Sequence, residues 1–299
     1  MSYAPALEAA DDVGQINALI AGTEPVTADA LALAPRLRII VRTGVGYDSV
    51  DVDAATAQGV VVCTTPGANR RSVAELVVGQ VFNGARRIAQ NVAEVRAGRW
   101  ERRSGREVAG SVLGIVGLGS IGKTVAELAL ALGMVVVAAD PFEDHEFATR
   151  TGVRYLPLER LLRESDFVTL HVMLTAESRG LIDEYALSLM KSTAYLINTA
   201  RGGIVDEVAL AAALRSGQLS GAALDVLEEE PLPAGSELSG IDGLSITAHI
   251  AGATTESRSR SASSAAEQII GFFDGVRPAG QVNLLDEASA SAALFPQSA

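Results

Sequence analysis

The sequence predicts an α/β protein made of a doubly wound parallel sheet and a second, smaller parallel α/β unit. Three observations carry that class. Short β-branched runs alternate with helical patterns, the runs between helices are apolar on both faces, and the spacing between them suits crossover helices. With 299 residues and 48% hydrophobic side chains, the chain is long enough to bury two cores.

The elements follow in order. "INALIA" (16–21), "RLRIIVR" (36–42) and "GVVVCT" (59–64) read as three parallel strands of the smaller unit, joined by short helices. Residues 72–98 read as two long helices. Six further strands are expected at 112–116, 134–139, 167–172, 193–199, 221–226 and 244–249. Ile121, Val125, Leu128 and Leu132 share one face of the helix after the first of these, and Gly133 stops it. Asp206 caps "EVALAAALRS", which Gly217 ends. Residues 254–275 form a capped helix, and the Ala/Ser-rich tail from Asp286 is expected to fray. The resulting division is 1–69 for the first part of the smaller unit, 70–254 for the main sheet, and 255–299 for a helix returning to the smaller unit plus the tail.

Charge removes several classes of partner. A net charge of −12 disfavours nucleic acid and anionic membrane surfaces. The one basic cluster, Arg99, Arg102, Arg103 and Arg106, is interrupted by Trp100 and Glu101 and reads as a solvated loop. Cys63 is alone, so no intrachain disulfide forms, and no metal-ligand spacing is present. Neither a signal peptide nor an 18-residue apolar span is seen, which leaves a cytoplasmic protein as the expectation.

The chemistry begins at "VLGIVGLGSIGKTVAE". Gly117, Gly119 and Gly122 stand in G-x-G-x-x-G order between a strand and a helix, where the backbone can approach a pyrophosphate and the helix N-terminus can stabilise it. Alone the pattern is weak. Asp140, at the end of the next strand, supplies the acid that would accept hydrogen bonds from an adenosine ribose and repel a 2′-phosphate, so NAD is expected over NADP.

Further polar residues stand at the carboxyl ends of three consecutive strands, where ligands bind in open α/β sheets. Arg201 follows "LINTA", Glu228, Glu229 and Glu230 follow "AALDV", and His249 closes "SITA". A guanidinium can grip a substrate carboxylate in a fork. An imidazole can exchange a proton with a hydroxyl or ketone oxygen, and a carboxylate can orient that imidazole and keep it protonated near neutral pH. Spacing leaves the choice among the three glutamates open.

"VRTGVGYDSVDV", "GANRRSVAEL", "GIVGLGSIG", "HVMLTAESRGLI", "LINTARGGIVDE", "AALDVLEEEP" and "ITAHIAGATTES" together resemble the D-isomer-specific 2-hydroxyacid dehydrogenases, in the branch containing D-3-phosphoglycerate dehydrogenase. The match runs from about Ala18 to Asn283. It implies a Rossmann cofactor domain, a flavodoxin-like substrate domain, and hydride transfer between NAD and C2 of a small 2-hydroxy or 2-keto acid of the 3-phosphoglycerate, glyoxylate or hydroxypyruvate type. The same resemblance makes Arg201, Glu230 and His249 the catalytic trio, with His249 facing the cofactor. Gly117, Gly119, Ser120, Ile121, Gly122 and Asp140 would hold the adenosine half of NAD, and Thr199, Ala200, Arg201 and Asp225 the nicotinamide half. The backbone of Gly44, Val45 and Gly46 would bind the substrate carboxylate together with Arg201. His171 reads as structural and His145 as a surface residue. Also implied is a homodimer formed through the cofactor domain.

Two departures bear on substrate. Where phosphoglycerate dehydrogenases commonly carry an arginine toward the phosphate, this chain has "AGTEP", and it matches no C-terminal regulatory domain. The family pattern also places a strand, a helix and a second strand ahead of "INALIA", so the smaller unit is expected to have only three strands with "INALIA" at an edge. The same motifs occur in NAD(H)-sensing corepressors, which gives an alternative reading as a binding protein with vestigial dehydrogenase activity. A formate dehydrogenase is disfavoured, because glutamine is expected where Glu230 stands.

Overall fold

The computed structural model describes residues 12–285, so the expectations for the extreme N-terminus and for the tail from Asp286 lie outside the described residues. The chain divides into two compact units, one containing residues up to Asn69 and from Thr254 onward, the other spanning Arg70–Ala253.

The first unit is a parallel sheet of β1 (Ala18–Ala21), β2 (Ile39–Arg42) and β3 (Val61–Cys63) in the order β1-β2-β3. Among the described residues β1 is an edge strand, as the sequence predicts. The apolar runs of β2 and β3 are buried on both faces and sort by period two, whereas Ile20 on the edge strand β1 is exposed. Ile40 and Val62 pack toward α1 (Ala28–Ala32) and α2 (Val52–Ala57), while Ile39, Val41, Val61 and Cys63 face Ala265 and Phe272 of α10 (Thr255–Phe273). Side-chain caps start all three helices: Thr27, Asp51 and Thr254 each accept from a backbone N–H of the first turn. Asn283 ties the sheet's margin, its carboxamide bonding Val62 N and Val60 O in the buried interior.

The second unit is a seven-stranded parallel sheet built from β4 (Val112–Val116), β5 (Val135–Ala139), β6 (Arg154–Tyr155), β7 (Phe167–Leu170), β8 (Tyr195–Asn198), β9 (Gly221–Leu224) and β10 (Leu244–Ile246). Its order, β10-β9-β8-β7-β4-β5-β6, reverses direction between β4 and β7, the switch point at which open α/β sheets bind ligands. Leu113, Ile115, Val136, Ala138, Tyr195 and Ile197 pack against α3 (Arg70–Arg86) and α5 (Ser120–Ala131). Their alternates Val116, Val137, Val168, Leu170, Leu196 and Leu224 pack against α7 (Leu158–Glu164), α8 (Glu184–Leu189) and α9 (Glu207–Arg215). Asp206 caps α9 through Val208 N and Ala209 N, as expected.

Three expectations need correction. Most strands are shorter than their apolar runs by one to three residues at the ends, because buried apolar residues such as Val60, Met134 and Ala194 lie in the flanking turns and not in the ladder. β6 escaped notice because it has two residues and no apolar run. It pairs Arg154 and Tyr155 with Val137 and Ala138, and the Tyr155 hydroxyl accepts from Asp144 N at 2.8 Å. Arg106 is no solvated loop residue. Its guanidinium lies 4.5 Å from the Phe167 ring centre, donates to Asp166 O at 3.0 Å, and stands 3.5 Å from the Asp166 carboxylate. Among the described residues no helix is long and apolar enough to cross a membrane.

Candidate active site

Three neighbouring strands end at one edge of the second unit, and each leads into a turn that carries one of the predicted groups. After β8, the buried side chain of Asn198 shapes the turn. Its Oδ1 accepts from Ala200 N at 3.0 Å and its Nδ2 donates to Arg201 O at 2.8 Å, fixing the backbone from which Arg201 projects. Arg201 Nη1 donates to Ala200 O at 2.7 Å. After β9 come Asp225 and the three glutamates. Glu228 pairs with Arg179 at 3.1 Å, while its N–H donates to Glu207 at 2.7 Å. Glu229 is exposed. Glu230 alone turns back, accepting from Leu227 N at 3.1 Å through Oε1 and meeting His249 Nδ1 at 2.9 Å through Oε2. After β10, His249 adopts a left-handed backbone with φ of 51°, uncommon for a residue with a Cβ, and its N–H donates to Asp225 O at 2.9 Å. Burial, and then the charges of Glu228 and Glu230, lift the carboxyl of Glu207 above the usual carboxylate range.

The glycine loop lies between β4 and α5. Gly117 has φ of 91°, and a Cβ there would fall 2.6 Å from His171 O. A Cβ on Gly122 would fall 2.2 Å from Gly117 O, so the third glycine lets α5 close onto the loop. Gly119 caps α5 with no side-chain acceptor, and the space beyond its Cα is open. Asp140 accepts from Leu118 N at 2.7 Å through Oδ2 and from Phe142 N at 2.8 Å through Oδ1, so it holds the loop as well as standing at the end of β5.

Within the first unit, Gly44 N already donates to Thr65 Oγ1 at 2.7 Å. Among the described residues no hydrogen bond engages the amides of Val45 and Gly46. His171 bonds Thr169 Oγ1 through Nε2 at 3.0 Å, and although part of its surface is accessible, the enclosed ring is pushed down to about 3 by burial. His145 is exposed beside Glu143.

Residues 78–251 match the family model described as D-isomer specific 2-hydroxyacid dehydrogenase, NAD binding domain. The chain belongs to that family. Glyoxylate reductase of Korarchaeum cryptofilum is 42% identical over 267 residues, covering 87% of this dehydrogenase and 80% of the relative. (S)-Sulfolactate dehydrogenase of Chromohalobacter salexigens is 48% identical over 238 residues, covering 79% and 77%. Among solved structures, the TT0316 protein of Thermus thermophilus superposes with a TM-score of 0.83 at 38% identity, covering 91% of this chain and 87% of that one.

The dehydrogenase has the features that NAD requires. The first-turn amides of α5 have no side-chain cap, which suits a pyrophosphate. Thr199 Oγ1, at the end of β8, is buried with no hydrogen-bond partner among the described residues. A buried hydroxyl left that way is open to a partner from a bound group. Sequence reasoning missed Asn198 altogether. A polar residue ending a fully buried apolar run was the available signal.

Proposed function

We propose that this dehydrogenase interconverts a small D-2-hydroxy acid and its 2-keto acid, with glyoxylate or hydroxypyruvate as the substrate type, and that Arg201, Glu230 and His249 carry the reaction. The observation that carries the reading is the 2.9 Å bond between His249 Nδ1 and Glu230. It uses one ring nitrogen and leaves Nε2, which has no hydrogen bond among the described residues, to meet substrate oxygen. Bound NAD supplies the hydride acceptor or donor. In oxidation His249 takes the hydroxyl proton, and in reduction it returns a proton to the carbonyl oxygen. Glu230 orients the ring. Arg201 grips the substrate carboxylate and polarises the carbonyl. Ser120, Ile121 and Asp140 serve the adenosine half of the cofactor, and Thr199 to Arg201 the nicotinamide half.

The substrate reading rests on charge. A glutamate, Glu24, stands in the "AGTEP" segment after β1, and its carboxylate folds over Gly22. An anion there disfavours a phosphorylated substrate. An NADH-oxidation screen of glyoxylate, hydroxypyruvate, phosphohydroxypyruvate and sulfopyruvate tests this, and a strong preference for either of the last two, which carry a second anionic group, would overturn it. His249→Ala should lower kcat by roughly 10²- to 10⁴-fold while NADH binding survives, and Arg201→Lys should also be damaging because an ammonium cannot reproduce the fork. Wild-type turnover in the histidine variant would end the assignment.

A homodimer through the second unit belongs to the same proposal. Ile88, Val92 and Val95 form an exposed apolar stripe along α4 (Ile88–Arg96), and Trp100 beyond it is 81% exposed. Val92→Glu should shift the protein from dimer to monomer by light scattering, and a monomeric wild type would refute the assembly. The single buried thiol suits the reducing cytoplasm that the proposal assigns.

A further inference from the structure

Glu230 meets the imidazole from a stretch of chain that has no helix or strand of its own. Between Leu224, where β9 ends, and Leu244, where β10 begins, the backbone is irregular. Leu227 and Leu238 root this connection in the apolar core, but residues 228–230 are exposed, so burial does not decide where Glu230 points. An exposed segment keeps one shape only where specific contacts hold it.

Two contacts do so, and neither comes from the trio. The first is a close crossing of backbones. A Cβ built on Gly202 would lie 1.9 Å from Leu227 O and 2.4 Å from Glu228 N, so the connection rests on the bare Cα of the residue next to Arg201. The second is a carboxylate. Glu207, the first residue of α9, accepts from Glu228 N at 2.7 Å through Oε1. It is offered from a rigid base, because Asp206 caps α9 and Leu210 and Ala211 are buried beneath it. Burial and the like charges of Glu228 and Glu230 both disfavour an anion at that place, so the amide is what favours it there. The ion pair of Glu228 with Arg179 is more than half exposed on both sides and holds the segment weakly. Two successive amides are thus taken by two different glutamates: Leu227 N by Glu230 at 3.1 Å from within the connection, and Glu228 N by Glu207 from outside it.

We propose that Glu207 is a positioning residue for the reaction: its carboxylate anchors the connection at Glu228 N and so sets where Glu230, and through it the His249 ring, stands. The inference rests on the reading of His249 as the proton carrier oriented by Glu230. Glu207→Ala removes the acceptor, whereas Glu207→Gln keeps an acceptor oxygen and removes only the charge. At saturating NADH and the best 2-keto acid of the screen, kcat should fall roughly 10- to 100-fold in Glu207→Ala, because a misplacement on the order of 1 Å costs up to about 10²-fold. Glu207→Gln should keep kcat within about threefold of wild type. NADH affinity and KM for the keto acid should stay within about threefold in both variants, a split that a general loosening of the protein would not give. A second readout needs no turnover. The chain has three histidines, so in protein carrying isotope-labelled histidine the Nδ1 proton shared with Glu230 can be assigned by its loss in His249→Ala. That downfield resonance should disappear in Glu207→Ala and persist in Glu207→Gln.

Wild-type kcat with an unchanged His249 resonance in Glu207→Ala would overturn the anchor, and so would an equal loss of kcat in Glu207→Gln, which would assign the effect to charge. Should Glu207→Ala not fold, Glu207→Asp decides in its place, since one methylene less leaves Glu228 N beyond hydrogen-bond reach and the same losses are expected. The two readings fail separately. Full activity in His249→Ala removes the proton-carrier assignment whatever Glu207 does, whereas an inactive His249→Ala beside a fully active Glu207→Ala removes only the anchor.

Discussion

One methyl group at Gly122 tests the glycine loop from inside. Built on the backbone, that Cβ lies 2.2 Å from Gly117 O and 3.3 Å from Ile115 Cγ2. A carbon needs about 3.3 Å from a carbonyl oxygen, so roughly 1 Å must be taken up by backbone, because neither neighbour is the end of a flexible side chain. Overpacking of this kind costs about 1–3 kcal/mol, and the better helix propensity of alanine returns up to about 1 kcal/mol. With the full ~1 kcal/mol returned, the net loss is at most about 2 kcal/mol, which lowers Tm by up to roughly 8 °C in a chain of this size. The same displacement pulls α5 and its free amides off the pyrophosphate position. Losing one charge-assisted hydrogen bond is worth about 1.5–3 kcal/mol, or roughly 10- to 100-fold in NADH affinity. Gly119→Ala is the contrast. Its Cβ meets nothing within 4 Å and its φ of −73° suits alanine, so Tm should fall by no more than about 3 °C through the poorer cap, while the methyl occupies the open space before α5 and NADH affinity falls at least tenfold. Fluorescence titration with NADH and thermal melts of both variants give the four numbers. Wild-type NADH affinity in Gly119→Ala would refute the placement of the pyrophosphate, and wild-type values throughout in Gly122→Ala would refute the packing argument.

The remaining predictions concern single side chains. Asp140→Ala should narrow the preference for NADH over NADPH but lower kcat/KM with both, because the carboxylate also holds Leu118 N and Phe142 N; equal use of both cofactors by the wild type would show the acid has no part in selection. Cys63 lies on β3 with no exposed surface and burial pushes its thiol up to about 12, so a disulfide reagent at pH 8 should label it only after denaturation, and prompt labelling of the native protein would contradict its placement. For His171 the folded value near 3 lies below the unfolded value near 6.5, so between them the unfolded chain binds the extra proton. Stability should therefore fall as pH drops from about 6.5, and urea midpoints at pH 7, 5.5 and 4.5 should separate more in the wild type than in His171→Asn; identical slopes would show the ring is accessible to protons when folded.

The sheet was legible because burying a strand on both faces demands an unbroken apolar run, and "VLGIV" or "YLIN" has no other home. That Arg201, the glutamates and His249 share one edge was legible, since they follow consecutive strands and parallel strands bring their carboxyl ends together. Which glutamate meets the imidazole was not legible from spacing. Glu228, Glu229 and Glu230 are chemically identical, and the choice is made by a turn that sends Glu228 to Arg179 and Glu230 to His249. Arg106 was misread for a related reason: a guanidinium in a charged loop looks solvated until the chain folds Phe167 beneath it.

The ends of the strands carry a rule that could have narrowed these gaps. β8 and β9 are fully buried, and the residues that close their runs are Asn198 and Asp225, polar and almost without exposure. A buried polar side chain must find donors or acceptors, and at a strand end the nearest unpaired ones belong to the turns just ahead or on the neighbouring strand. Asn198 bonds the turn of its own strand, fixing Arg201, whereas Asp225 bonds the turn of the next strand, fixing His249. A polar residue closing an apolar run therefore marks a turn whose shape is held from below. In this chain the two turns so marked are the ones that carry the guanidinium and the imidazole, so the placement of the proposed catalytic groups is set one layer beneath them.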